Sequence, residues 1–137
     1  MLAGVKRALP IVLVAALGGC SLGSDEKTEP IGGDAKRVAT TIQRLDAAAR
    51  ASRFDLICRR LFTRAARKRA GGANCAKLLS ATAKGVRRPR ISLVSITLEE
   101  KGRAEARVRT VAVGQEPIEE TIHLERERGA FRIEALG

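Results

Sequence analysis

The sequence predicts an α+β domain, with helices first and an antiparallel sheet after them. Three observations carry this. Apolar residues recur at helical spacing between Asp34 and Ala83. From Ile91 onward the period falls to two, and β-branched and aliphatic residues dominate. The chain has 137 residues, 45% of them apolar, enough for one packed core.

The first helix opens at Asp34, a side chain suited to an N-cap. Val38, Ile42, Leu45 and Ala49 then form one stripe. The pattern breaks near Ser52. A second helix places Phe54, Ile57, Cys58, Leu61, Phe62 and Ala65 on one face, with Arg59, Arg60, Arg64 and Arg67 largely off it. Gly71-Gly72 stops this helix. Asn74 is placed to cap a third, short helix with Cys75, Leu78, Leu79 and Thr82 inward.

Four strands follow. Residues 91–98 form the first, and Glu100-Lys101-Gly102 turns the chain. Residues 103–113 alternate, with Ala104, Ala106, Val108 and Thr110 set against Arg103, Glu105, Arg107 and Arg109. A turn at 114–117 leads to a strand over 118–128, with Ile118, Ile122 and Leu124 on one side and His123 on the other. Gly129 turns the chain again, and residues 130–136 send Phe131 and Ile133 inward. Three helices must cover one face of this sheet to keep it dry.

Ahead of the domain, Lys6 and Arg7 precede an apolar run over 8–17, then Gly18, Gly19 and Cys20. A basic start, a run of about ten apolar residues and small residues before a cut site read as a secretory signal, 1–19. The run is half the about 20 residues that span a bilayer. Leu17-Gly18-Gly19-Cys20 resembles the bacterial lipobox, with Gly18 where Ala or Ser is commoner. The resemblance implies cleavage before Cys20, a diacylglyceryl group on its sulfur and acylation of the new amino terminus. Residues 20–34 then read as a lipidated Cys and flexible tether, and 35–137 as the domain. With Cys20 lipidated, Cys58 and Cys75 remain. Export favours a disulfide between them over two buried thiols.

The order of elements resembles the nuclear transport factor 2-like superfamily, in which helices pack into the concave face of a curved sheet as a cone. Small bacterial lipoproteins of that superfamily are the nearer likeness. Arg53-Phe54-Asp55, Cys58, Cys75 and Gly129-Ala130-Phe131-Arg132-Ile133 carry it, over about residues 36–136. Phe131 stands where Trp is usual, and Arg53 where Gly is usual. The resemblance implies a pocket between helices and sheet. Its members include isomerases, hydrolases and plain binding or dimerisation modules, so the fold selects no function.

Composition excludes much chemistry. There is no Trp and no Tyr, with three Phe and one His. A Tyr acid, a paired-His metal site and an aromatic stacking platform all lack their residues. Asp46, Asp55 and Glu99 are the acids near pocket walls or rims, and Asp55 reads better as a helix-start residue than as a base. Ser80, Ser92 and Ser95 have no base at a recognisable spacing. No catalytic residue, metal or cofactor is expected.

Charge is the distinctive feature. The formal net charge is +11, and +9 from Cys20 onward once Lys6 and Arg7 are removed. Between Leu56 and Leu98 there is no acid, while Arg59, Arg60, Arg64, Arg67, Lys68, Arg69, Arg87 and Arg88 stand there among others. Three readings compete: a solvated helical face, contact with anionic lipid or wall polymer, and nucleic acid. Export and the want of stacking aromatics argue against the third. The expectation is a lipid-anchored, exported binding module of the bacterial cell envelope. It would sit at the cell membrane and could dimerise through the outer sheet face. The alternative is a small-molecule pocket enzyme, isomerase- or hydrolase-like, with Asp55 as base.

Overall fold

The computed structural model describes residues 32–137. The expected signal peptide, the expected lipidation at Cys20 and the expected tether through residue 31 fall on residues outside those described.

The first helix, α1 (Gly33–Arg50), buries Val38, Thr41, Ile42, Leu45 and Ala48. Ala48 thus takes the inward place expected of Ala49. Gly33 and Asp34, read as tether, already belong to this helix. Asp34 is not the cap either. Gly32 holds that position without a side-chain bond, and Asp34 sits in the first turn, where a carboxylate suits the helix dipole. Three ties hold α1 across the sheet. Arg126 donates to the Asp34 carboxylate. Thr41 Oγ1 donates to the Phe131 carbonyl at 2.6 Å. The Ile91 N–H donates to Asp46 Oδ1 at 2.7 Å, so Asp46 has a structural task.

The second helix departs from expectation. It begins as α2 (Phe54–Leu56), passes into a π-helical turn over Ile57–Leu61, and stops at Phe62, which is extended. Helix α3 (Arg64–Arg69) starts afresh from Thr63, whose Oγ1 accepts the Ala66 N–H at 3.0 Å. The reason lies in the sheet. Phe62 bridges Ile133 in parallel, and the Thr63 N–H donates to the Ile133 carbonyl at 2.9 Å. This pairing covers the outer edge of the last strand, which would otherwise offer unpaired backbone groups. The break resets the helical phase, so Ala66 is buried and Ala65 is exposed. Four α-helices therefore stand, among the described residues, where three were expected.

Helix α4 (Cys75–Thr82) buries only Cys75 fully. Leu78, expected inward, is 51% exposed, and Thr82 is exposed as well. Leu78 lies over Gly71, where a Cβ would stand 2.5 Å from its Cδ1. Asn74 precedes the helix without a side-chain capping bond. Cys58 and Cys75 are joined as a disulfide, with Cα atoms 6.1 Å apart. The bond ties the π-helical turn to the start of α4.

Strands β1 (Arg90–Leu98), β2 (Arg103–Val111), β3 (Ile118–Glu127) and β4 (Ala130–Leu136) form an antiparallel sheet in the order β1-β2-β3-β4. Lys101-Gly102 and Arg128-Gly129 turn the β1–β2 and β3–β4 hairpins with positive φ at each residue. Register shifts at Val94 in β1 and at Glu134 in β4 each leave one residue extra. Such bulges bend a strand, and the sheet is partly curved. Ala104, Ala106, Val108, Ile122, Leu124, Phe131 and Ile133 line its inner face as expected. Ile118, also expected inward, is 56% exposed near the end of the sheet. The outer face carries paired charge. Arg107 meets Glu119 at 2.8 Å, and His123 lies 3.5 Å from Glu105.

Candidate functional site

The basic stretch does not act as one surface. Its eight singled-out residues separate into groups. Arg59, Arg64 and Arg67 line a cleft of about 450 Å³ beside the β3–β4 hairpin. Arg60 turns to a different groove, with Arg44 and Arg53, along α1 and α2. Arg69 donates to Glu134 Oε1 at 2.8 Å and to the Glu134 carbonyl. Lys68 is exposed on α3. Arg87 and Arg88 lie in the loop before β1, where the Arg87 carbonyl accepts the Val113 N–H.

The hairpin supplies what the sequence reading missed. Arg128 and Arg132 join Arg59, Arg64 and Arg67 around the cleft. Five arginines thus line the cleft with one acid, Glu127. Glu127 ties the two walls together. Its Oε2 accepts the Arg64 backbone N–H at 3.1 Å, and its Oε1 lies 3.6 Å from Arg132 Nη1. Arg59 pairs with Asp55 at 2.7 Å. Among the described residues, Arg64, Arg67 and Arg128 have no carboxylate within salt-bridge distance. The Nε of Arg132 is buried with no hydrogen-bond partner among them.

The turn that delivers Arg128 is itself informative. Arg128 has φ 53° and Gly129 has φ 79°. A two-residue hairpin turn with both φ positive normally takes Asn, Asp or Gly first. An Arg there is held in a left-handed conformation that costs about 1–2 kcal/mol. Arg128→Gly is therefore expected to raise stability by about 0.5–1 kcal/mol, after Gly's extra freedom in the unfolded chain is discounted. Urea denaturation measures it.

A hub of polar contacts supports the cleft from behind. Thr63 is 2% exposed. Its Oγ1 donates to Glu134 Oε2 at 2.5 Å while capping α3. The Thr63 hydrogen bond holds the Glu134 carboxyl below its usual range, against the opposing pull of burial and with help from Arg69. The bulge at Glu134 is what turns this carboxylate toward α3.

The candidate chemical residues lie elsewhere. Asp55 is half exposed and does not line the cleft; its hydrogen bond from Arg59 lowers its pKa. Asp46 is taken up by Ile91 and Arg50. His123 and Glu105 share the outer sheet face. Glu99, Ser80, Ser92 and Ser95 are exposed, and Ser92 donates to the Arg109 carbonyl. Compared with known proteins, the chain matches no family model and no curated sequence.

Proposed function

We propose that the protein is a lipid-anchored, exported binding module of the bacterial cell envelope, held at the cell membrane through Cys20. The observation that carries this is the Cys58–Cys75 bond. A disulfide belongs to an oxidising compartment. It also uses two of the three cysteines, and Cys20, behind its lipobox-like sequence, is the third. One acyl chain anchors a protein marginally, and two or three anchor it firmly. In this reading the helix-covered, partly curved sheet is the cone of the nuclear transport factor 2-like superfamily, used for binding.

The anchor sets what the arginines meet. A domain held at the bilayer stays near anionic headgroups or wall polymer, where each nearby Lys or Arg adds on the order of 1 kcal/mol. Cys20→Ser is expected to move the protein from the membrane fraction to the soluble fraction. Unchanged, detergent-dependent partitioning would contradict the anchor. Arg60, Arg64 and Arg67 changed together to Glu should weaken binding to phosphatidylglycerol vesicles, most at low salt. Equal retention of both proteins at every salt concentration would favour a merely solvated face.

A further inference from the structure

We infer that the cleft between α3 and the β3–β4 hairpin is a discrete binding site for a ligand carrying two linked phosphoryl groups. This deepens the proposed binding role by naming a ligand class. It rests on that reading only for where the ligand is met.

Charge count comes first. Five arginines against Glu127 leave the lining at a formal +4, and at +3 once Asp55, paired with Arg59 at 2.7 Å, is counted. Two phosphoryl groups bring about three to four negative charges at neutral pH, so they match it. A single carboxylate does not. Donor geometry agrees. Guanidinium groups present rigid forks of N–H donors, which fit phosphate oxygens in pairs. Arg64, Arg67 and Arg128 have no carboxylate partner among the described residues, so their forks are open to a ligand. Arg132, which also lines the cleft, keeps its Nε buried without an acceptor among the described residues, a costly state that leaves its side chain short of partners.

The two walls come from distant parts of the chain. Arg59, Arg64 and Arg67 stand on the helical layer, and Arg128 and Arg132 on the last hairpin. Glu127 bridges the walls by accepting the Arg64 N–H. As the one acid among the described residues of the lining, it is a positioning residue. Arg128 is held at positive φ in a turn where Gly would be easier.

The test is calorimetric titration of the purified full chain, in nonionic detergent, with sodium pyrophosphate. One saturable site per chain is expected. Arg67→Gln with Arg128→Gly removes two cleft charges and should weaken binding at least about tenfold, as loss of charge-assisted bonds does. Its partner control is Arg109→Gln with Lys101→Gly. That pair removes the same charge outside the cleft lining and outside the basic stretch, and also relieves a positive φ, since Lys101 has φ 60°. The control should change affinity less than about twofold, the size of a long-range screened effect. Because both Gly changes relieve strain, thermal melting at or above the parent's midpoint certifies the fold. Equal loss in both pairs, or no saturable binding by the parent, would overturn the site. A second arm assigns the source. Release of the Cys20→Ser chain by pyrophosphate, at constant ionic strength, from vesicles containing cardiolipin, whose headgroup links two phosphodiesters, points to a headgroup, and binding without release points to a free ligand. Neither outcome depends on whether Cys20 is lipidated, so failure of the anchor and failure of the cleft are read separately.

Discussion

Replacing Cys58 and Cys75 together by Ala is expected to destabilise the domain by about 3 kcal/mol, the chain-entropy value for closing a loop of similar length. The bond spans 17 residues. In a domain of this size such a loss lowers the melting midpoint on the order of 15 °C. The physical weight is local as well as global. Cys75 is the one fully buried residue of α4, while Leu78 on the same helix is half exposed. Little apolar burial would hold α4 once the sulfur link is gone. Amide exchange should therefore rise first over Cys75–Thr82, at denaturant concentrations that leave β2 and β3 protected. Urea titration with and without a reductant checks the first part, and exchange mass spectrometry the second. A midpoint indifferent to reductant would mean that the cysteines are free, and the argument for an oxidising compartment would lose its support.

How far the sequence carried depends on which physical signal each element leaves. In β2 the alternation of Ala104, Ala106 and Val108 with charged neighbours is a local property, and those three are buried where expected. The break at Phe62 leaves almost no periodic trace. Two helical pieces flank a two-residue extended joint, and the joint exists to pair with Ile133, about seventy positions away. The nearest local hint is Thr63, a good cap residue followed three positions later by the N–H it receives. The bulge at Glu134 is hidden for a similar reason, since one inserted residue is invisible until the partner strand is known. The cleft shows the same limit. Arg59, Arg64 and Arg67 stand out in an acid-free stretch, but Arg128 and Arg132 lie among the acids of 99–137. Only the return of the hairpin beside α3 brings the five together.

Thr63→Val should cost about 2–3 kcal/mol, because one hydroxyl serves two bonds and Val keeps its shape. The first bond caps α3 by accepting the Ala66 N–H. The second donates to Glu134 Oε2 and is the leading cause of that carboxyl's lowered pKa. The two contributions separate by pH. A carboxyl with a folded pKa below its unfolded value stabilises the fold above the unfolded value, and that stability fades as pH falls through the folded one. Glu134 starts from 4.5, so its share is complete at neutral pH and declines once the pH passes below that value. In the Val variant, burial still raises the Glu134 pKa and only Arg69 opposes it, so the pH-dependent share shrinks. The stability gap between parent and variant should accordingly be wide at pH 7 and narrower at pH 3. What remains of the gap at pH 3 includes the lost helix cap. A gap of the same width at both values would show that the hydroxyl does not bias the titration of Glu134. Calorimetry on the same variant tests whether this hub supports the cleft. Thr63 lines the cleft and fixes the start of α3, from which Arg64 and Arg67 extend. Fraying of that first turn should weaken pyrophosphate binding even though no arginine has been altered.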